Sequence, residues 1–205
     1  MKTIKYFLTF VCCIVLLAGC TKPTDPASST DTTVTNYTAS EIEIAVIEEI
    51  NFARTNPKDY VTQRLSNRYK SNSSESYKKA LDEVIDQMQR MKALPELVEA
   101  DGLCKCAAEW VNVSGPQGTV GHDSNISARF KKYCTYATLG ENCSYGYSTA
   151  QDIVAELLID DGVETRGHRQ NILSASFTYV GVAIGNHKKY KTMCCIDFAS
   201  GYKEK

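Results

Sequence analysis

DIVAELLIDDGVETRGHRQNIL, residues 152–173, gathers titratable groups around a glycine-containing turn more densely than any other segment of this 205-residue chain. Ile153, Val154, Leu157 and Leu158 fall at offsets of one, four and five, the spacing of one helix face. Glu156 and Asp160 lie one turn apart on the same segment, so the helix carries a carboxylate pair along one edge. Gly162 is the predicted terminator, because glycine adopts the left-handed conformation that helix ends favour. The loop Thr165, Arg166, Gly167 then delivers His168 to a second short apolar run, beside two or three acids. Arg166 and Arg169 are read as ion-pair partners of Asp161 and Glu164, which are surface or cap acids, with anion attraction as the alternative, and Asn171 as a residue that satisfies backbone groups after the turn.

Downstream, residues 179–185 and 190–200 read as two strands joined at Asn186-His187-Lys188-Lys189, a hairpin with His187 exposed in the turn. Val180, Val182 and Ile184 alternate with Gly181, Ala183 and Gly185, so one face packs while the other leaves room. Upstream, residues 138–147 read as a loop containing Gly140-Glu141-Asn142-Cys143. His122 lies on another loop, after turn signals at Gly115-Pro116 and Gly118. The helix before it is predicted over 101–113, with Leu103, Cys106, Ala107 and Trp110 inward. A further amphipathic helix carries Leu81, Val84, Ile85, Met88 and Met91, the methionines as core filler. The domain starts at Ser40-Glu41-Ile42-Glu43, a capping box followed by Val46, Ile47 and Ile50 at helical spacing. Asn56-Pro57 breaks that helix, with Asn56 capping its continuation through Tyr60, Val61 and Leu65.

The length suits one domain with appendages, and 43 % apolar residues with a formal charge of −1 describe a globular chain. No basic stripe stands out against the acids, which argues against a nucleic-acid partner. Residues 1–19 read as an export signal: Lys2 and Lys5 form a basic head and residues 7–17 an apolar run too short for a comfortable span. Leu17-Ala18-Gly19-Cys20 resembles the bacterial lipobox, which implies a lipid anchor on Cys20 and an extracytoplasmic, membrane-attached protein; ordinary secretory cleavage near Gly19 is the alternative. Residues 20–39 are rich in Thr, Ser, Asp and Pro and read as a flexible tether. Six further cysteines, Cys104, Cys106, Cys134, Cys143, Cys194 and Cys195, predict up to three disulfides in an exported chain, with fifteen pairings open. Cys194 and Cys195 should face opposite ways on their strand, and a thiolate zinc cluster is disfavoured because no CxxC pair occurs.

NFARTNP at 51–57, His122, GEN at 140–142, Asp160-Asp161-Gly162-Val163, RGHRQNIL at 166–173 and the C-terminal VGVAIG and IDFASGY runs occur in one characteristic order. By these motifs residues 41–202 resemble the CAP superfamily, the cysteine-rich secretory, antigen 5 and pathogenesis-related proteins, and in particular its bacterial SCP-like members. The resemblance implies an α+β fold, an α-β-α sandwich with a small antiparallel sheet between helical layers, and an open cleft lined by two histidines and two acids. Carried over, the histidines are His122 and His168 and one acid is Glu141. Where many members have tryptophan followed three residues later by glutamate, this chain has Leu157 and Asp160, so the second cleft acid is Asp160 or, one turn earlier, Glu156. Two imidazoles can hold a divalent transition metal, zinc most commonly, loosely and in contact with solvent, while carboxylates fix each tautomer. No HExxH or GxSxG motif occurs, and no serine or cysteine stands in an evident activated context. The expectation is a binding module for an unidentified protein, peptide, glycan or lipid, with a hydrolase acting on peptides or cell-envelope material through the same cleft as the alternative. A lipid or sterol carrier is a third reading, without a long apolar groove in the sequence to support it.

Overall fold

A computed structural model describes residues 40–205; the segments expected to be an export signal and a tether, with Cys20 between them, lie outside the described residues. The first helix, α1 (Glu41–Thr55), starts at the Ser40 box, where the Glu43 carboxylate accepts hydrogen bonds from Ser40 N at 2.7 Å and Oγ at 2.8 Å. The other Glu43 oxygen accepts from the Ile184 amide at 2.8 Å, which ties the helix start to the sheet. After Asn56 the chain continues as α2 (Pro57–Tyr60) and a wide turn over Val61–Leu65. Asn56 makes no side-chain cap there; Pro57 at the first position supplies the restart by its fixed φ. Then come α3 (Glu75–Arg90), β1 (Val98–Glu99), α4 (Asp101–Gln117), α5 (Ile126–Tyr133), β2 (Cys134–Thr135) and β3 (Thr138–Tyr145). The chain finishes with α6 (Ala150–Ile159), α7 (Gly167–Ile172), β4 (Tyr179–His187), β5 (Lys191–Ser200) and β6 (Lys203–Glu204).

The main sheet has the order β1-β4-β5-β3, antiparallel except for the two-residue parallel pairing of β1 with β4. Its two faces take the two phases of the strand pattern. Val180, Val182, Cys194, Ile196 and Phe198 join α1, α3 and α6 in the larger core, whereas Ala183, Met193 and Cys195 pack with Ala107 and Val111 of α4. Helices on both faces of a small sheet make this an α+β sandwich. The room that Gly181 leaves is filled by α4 itself: a Cβ at 181 would lie 2.2 Å from Cys104 N and Leu103 C. Cys194 and Cys195 do face opposite cores.

Four local expectations are corrected. Residues 138–145, read as a loop, form edge strand β3, because pairing with β5 from Thr138↔Ser200 to Tyr145↔Met193 satisfies a polar backbone that has no strong strand pattern of its own. Helix α4 runs past Val113 through Pro116 and stops at Gly118, whose φ of 72° is left-handed. A proline that close to the end removes a single intrahelical bond, and Gly115 lets Asn186 O approach to 2.3 Å of where a Cβ would sit. His187 is buried, not exposed: its Nε2 bonds Thr119 O at 2.8 Å while Nδ1 accepts from Tyr190 N at 3.0 Å, so the hairpin turn is clamped onto the end of α4. The six cysteines of the domain are all free and buried, without a disulfide among them.

Candidate functional site

Because β3 is an edge strand, the segments from both helical layers can meet across it. Strand alternation sends Glu141, Cys143 and Tyr145 toward α4 and Asn142 toward α7. The loop after α4 is held from two sides, since Trp110 Nε1 donates to Gly121 O at 3.1 Å and Gly121 N donates to Tyr145 Oη at 2.9 Å. This presents His122, whose Nδ1 meets Glu141 Oε1 at 2.7 Å. On the other layer Asn142 Nδ2 donates to His168 O at 3.0 Å, and Asn171 Nδ2 donates to Asn142 Oδ1 at 2.8 Å. The asparagine of GEN therefore fixes α7 while its glutamate fixes His122.

Helix α6 ends at Ile159, and Asp160, not Gly162, takes the left-handed terminating position with φ of 57°. Asp160 tolerates that conformation because its short carboxylate bonds locally: Oδ2 accepts from His168 N at 2.9 Å and Oδ1 meets His168 Nδ1 at 2.7 Å. The turn breaks the helical period, so Glu156 and Asp160 do not act as a pair. Glu156 instead binds Arg68 at 2.9 Å and Tyr77 Oη at 3.0 Å, leaving Asp160 as the acid on the second histidine. Arg169 serves the open carbonyls at the end of α6, donating to Leu158 O at 2.6 Å and Ile159 O at 2.8 Å. Arg166 pairs with Glu83 at 2.9 Å, where Asp161 and Glu164 were the expected acids. Arg54 of the NFARTNP motif, 1 % exposed, donates to Ile172 O at 2.7 Å and Ser174 O at 2.8 Å, anchoring α7 from beneath.

Behind Glu141 lies a buried ionic layer that the motifs did not reveal. Arg129 of α5 forms a short charge-assisted bond to Glu141 Oε2, approaches Asp197 at 3.6 Å, donates Nε–H to Cys106 Sγ at 3.4 Å and lies over the Trp110 ring. Burial and the Glu141 charge push the Asp197 carboxyl well above its ordinary range. Burial also pushes Glu141 upward, but bonds from His122 and Arg129 outweigh it and leave this carboxyl below its usual value. His122 is raised to about 10 by hydrogen bonding to Cys143 and Glu141, against desolvation.

Cys143, read from the sequence only as a disulfide candidate, is the third residue whose place at the site the motifs did not reveal. It sits directly opposite Cys195 in the sheet, and the bond from Cys195 draws its thiol down to about 6, against burial and with help from His122. Burial pushes Cys104 up to about 12 and Cys134 up to about 11, so the cleft cysteine stands apart. The signal was the i, i+2 spacing of Glu141 and Cys143, legible only once residues 138–145 are known to be a strand.

His122, Glu141, Cys143, Tyr145, His168 and Asn171 line one cavity of about 600 Å³. The ring of His122 is half exposed while its carboxylate partner is covered, 52 % against 1 % of each side chain, so the imidazole faces solvent from a fixed base. A carboxylate on Nδ1 of each histidine leaves Nε2 as the nitrogen that could hold a metal ion, and neutral imidazoles are donors of the type zinc accepts.

Among solved structures, similarity is found to an outer surface protein from Borrelia burgdorferi, at 17 % identity over 64 % of this chain and 97 % of that one, with a TM-score of 0.45. An extracellular SCP-domain protein from Bacillus anthracis matches at 17 % identity over 61 % of this chain with a TM-score of 0.41, and a cysteine-rich secretory protein from Staphylococcus aureus at 13 % over 63 % with 0.41; the match spans 40 % of each of those two proteins. No curated protein sequence matches the chain. Residues 47–198 match the cysteine-rich secretory protein family, CAP, which takes in both histidines, the GEN strand and the hairpin that carries Asp197, and the chain belongs to that family.

Proposed function

We propose that this protein is an extracytoplasmic CAP-domain binding module, tethered to a bacterial membrane through acylated Cys20, whose cleft takes a divalent metal ion and an unidentified protein, peptide, glycan or lipid ligand. The observation that carries the reading is the matched pair of rings, His122 on Glu141 and His168 on Asp160, each bonded at 2.7 Å, lining one cavity. Zinc is the ion the donors favour, held by His122 and His168 with solvent completing the shell, hence loosely. The export signal and lipobox support the location, and the absence of a basic stripe argues against nucleic acid.

A hydrolytic use of the cleft is the second reading, favoured by the contact of a thiol, Cys143, with a histidine that is itself oriented by Glu141. One experiment addresses both. Zinc titrated calorimetrically into the full chain should bind at about one site, more weakly as pH falls from about 10, where His122 gains its proton. Binding undiminished in the His122→Ala, His168→Ala double variant would place the ion elsewhere. Casein or peptidoglycan left intact in the same zinc-loaded samples favours the binding module, and turnover lost in His168→Ala favours the hydrolase.

A further inference from the structure

We propose that Cys143 is a metal ligand, making this cleft a mixed imidazole and thiolate site. The inference rests on the reading of the cleft as a metal site and adds a third protein donor to it. A ring nitrogen of His122, Sγ of Cys143 and a carboxylate oxygen of Glu141 all lie within 4.8 Å of one another. An ion with bonds of about 2.0–2.3 Å to nitrogen and sulfur fits between donors at such separations after small side-chain rotations.

The partners of each donor sort their roles. Both oxygens of Glu141 are already engaged, Oε1 with His122 and Oε2 with Arg129 and Cys195, so this carboxylate orients the ring and is not released to the ion. Cys143 is differently placed. It lines the same cavity as both histidines, and it faces another thiol, Cys195, across β3 and β5, whose single S–H turns from Glu141 Oε2 to a bound thiolate while Arg129 keeps that oxygen engaged. His122 and Cys143 are therefore the inner ligands, His168 lines the same cavity outside their cluster, and solvent fills what is left. Binding exchanges the thiol proton for the metal: the S–H bond breaks, a sulfur–metal bond forms, and the proton leaves to buffer.

A thiolate changes which ions the cleft selects. Two imidazoles and water accept many divalent ions, whereas a sulfur donor favours zinc, cobalt(II) and copper(I) over magnesium, calcium and manganese. The affinity should also be higher than that of a two-histidine site.

Cobalt(II) is the probe that separates this inference from the reading it rests on. Added to the reduced full chain, it should bind at about one equivalent and produce a near-ultraviolet thiolate-to-cobalt charge-transfer band that zinc displaces. Cys143→Ser should abolish the band and weaken zinc binding roughly tenfold or more, while Cys104→Ser, on a buried thiol outside the cavity, should keep it. Cobalt that binds without the band, and is lost in the His122→Ala, His168→Ala double variant, would overturn the thiolate ligand and leave the histidine site standing. No bound cobalt at all would overturn both. Alkylation of the native chain tests the point without a variant: zinc should protect Cys143 from iodoacetamide several-fold by peptide mass, and equal labelling with and without zinc would overturn the proposal.

Discussion

Arg129→Met removes the one cation among three groups that the fold seals from water. Arg129 is 2 % exposed, Glu141 6 % and Asp197 0 %, and the guanidinium lies against both carboxylates. Methionine keeps much of the packing length but leaves two acids facing each other across β3 and β5, where Glu141 and Asp197 are register partners. Breaking a buried ion pair by deleting one partner costs about 3–5 kcal/mol, and the lost contact with the Trp110 ring adds about 0.5–2 kcal/mol. For a domain of this size the total of about 3.5–7 kcal/mol corresponds to a fall in melting temperature of roughly 7–28 °C. The pH dependence identifies the cause. Without Arg129 both carboxyls rise above their unfolded values, and a group raised in the folded state stabilises when protonated and loses that contribution as pH rises through its folded value. The penalty should therefore be largest near neutrality and shrink on acidification toward pH 4–5, while in the wild type Glu141, held low, contributes stability that is lost as pH falls through its folded value. Urea unfolding of both proteins across that range measures the difference. A penalty below about 1 kcal/mol, or one independent of pH, would show that these charges behave like a surface pair and refute the argument.

Alkylation of Cys143 in the metal-free chain should follow a titration near pH 6, where its thiol is set, and not the 8.5 of an ordinary cysteine; a midpoint above 8 measured by peptide mass would contradict the thiolate. Cys20→Ser should abolish incorporation of labelled fatty acid into the chain in its bacterial host and release it from the membrane fraction, and labelling that persists would remove the anchor from Cys20.

The order of the motifs carried the fold, and it did so through residues whose work is structural as much as chemical. Asn142 was legible as part of GEN because its amide reaches α7, and Arg54 because the NFARTNP helix anchors the same element. The helix starts were readable from local chemistry, as the Ser40 and Glu43 box shows, and so was the hairpin from its alternation. Arg129, Asp197 and Cys143 were not, for a common reason. Each acts through a neighbour distant in sequence, with separations of 12, 56 and 52 residues to Glu141, Glu141 and Cys195 respectively, and a period-2 argument is closed to a segment read as a loop. His187 misled in the opposite sense: an Asn-His-Lys-Lys turn reads as solvent-facing, but the end of α4 covers it. Asp160 could be assigned over Glu156 only with the left-handed turn in view, because an uninterrupted helix would have placed both on one edge.

The same contacts that position the cleft also set what competes for it. Hydrogen bonds from Cys143 and Glu141 raise His122 to about 10, and His122 together with Cys195 holds Cys143 near 6, so between those limits the metal-free pair is an imidazolium beside a thiolate. The raised histidine gives stability that is full below its unfolded value near 6.5 and lost as pH rises through 10; the lowered cysteine gives stability that is full above its unfolded value and lost as pH falls through 6. On the metal-site reading, an arriving ion would find the sulfur already ionised but would have to displace a proton from His122. With one proton released per ion, affinity gains about tenfold for each pH unit across that window, where a histidine of ordinary basicity would level off above pH 7. Below pH 6 a second proton, on Cys143, joins the competition and the dependence steepens. On the metal-site reading, an ion that enters would therefore replace the His122–Cys143 ion pair instead of filling an uncharged hollow.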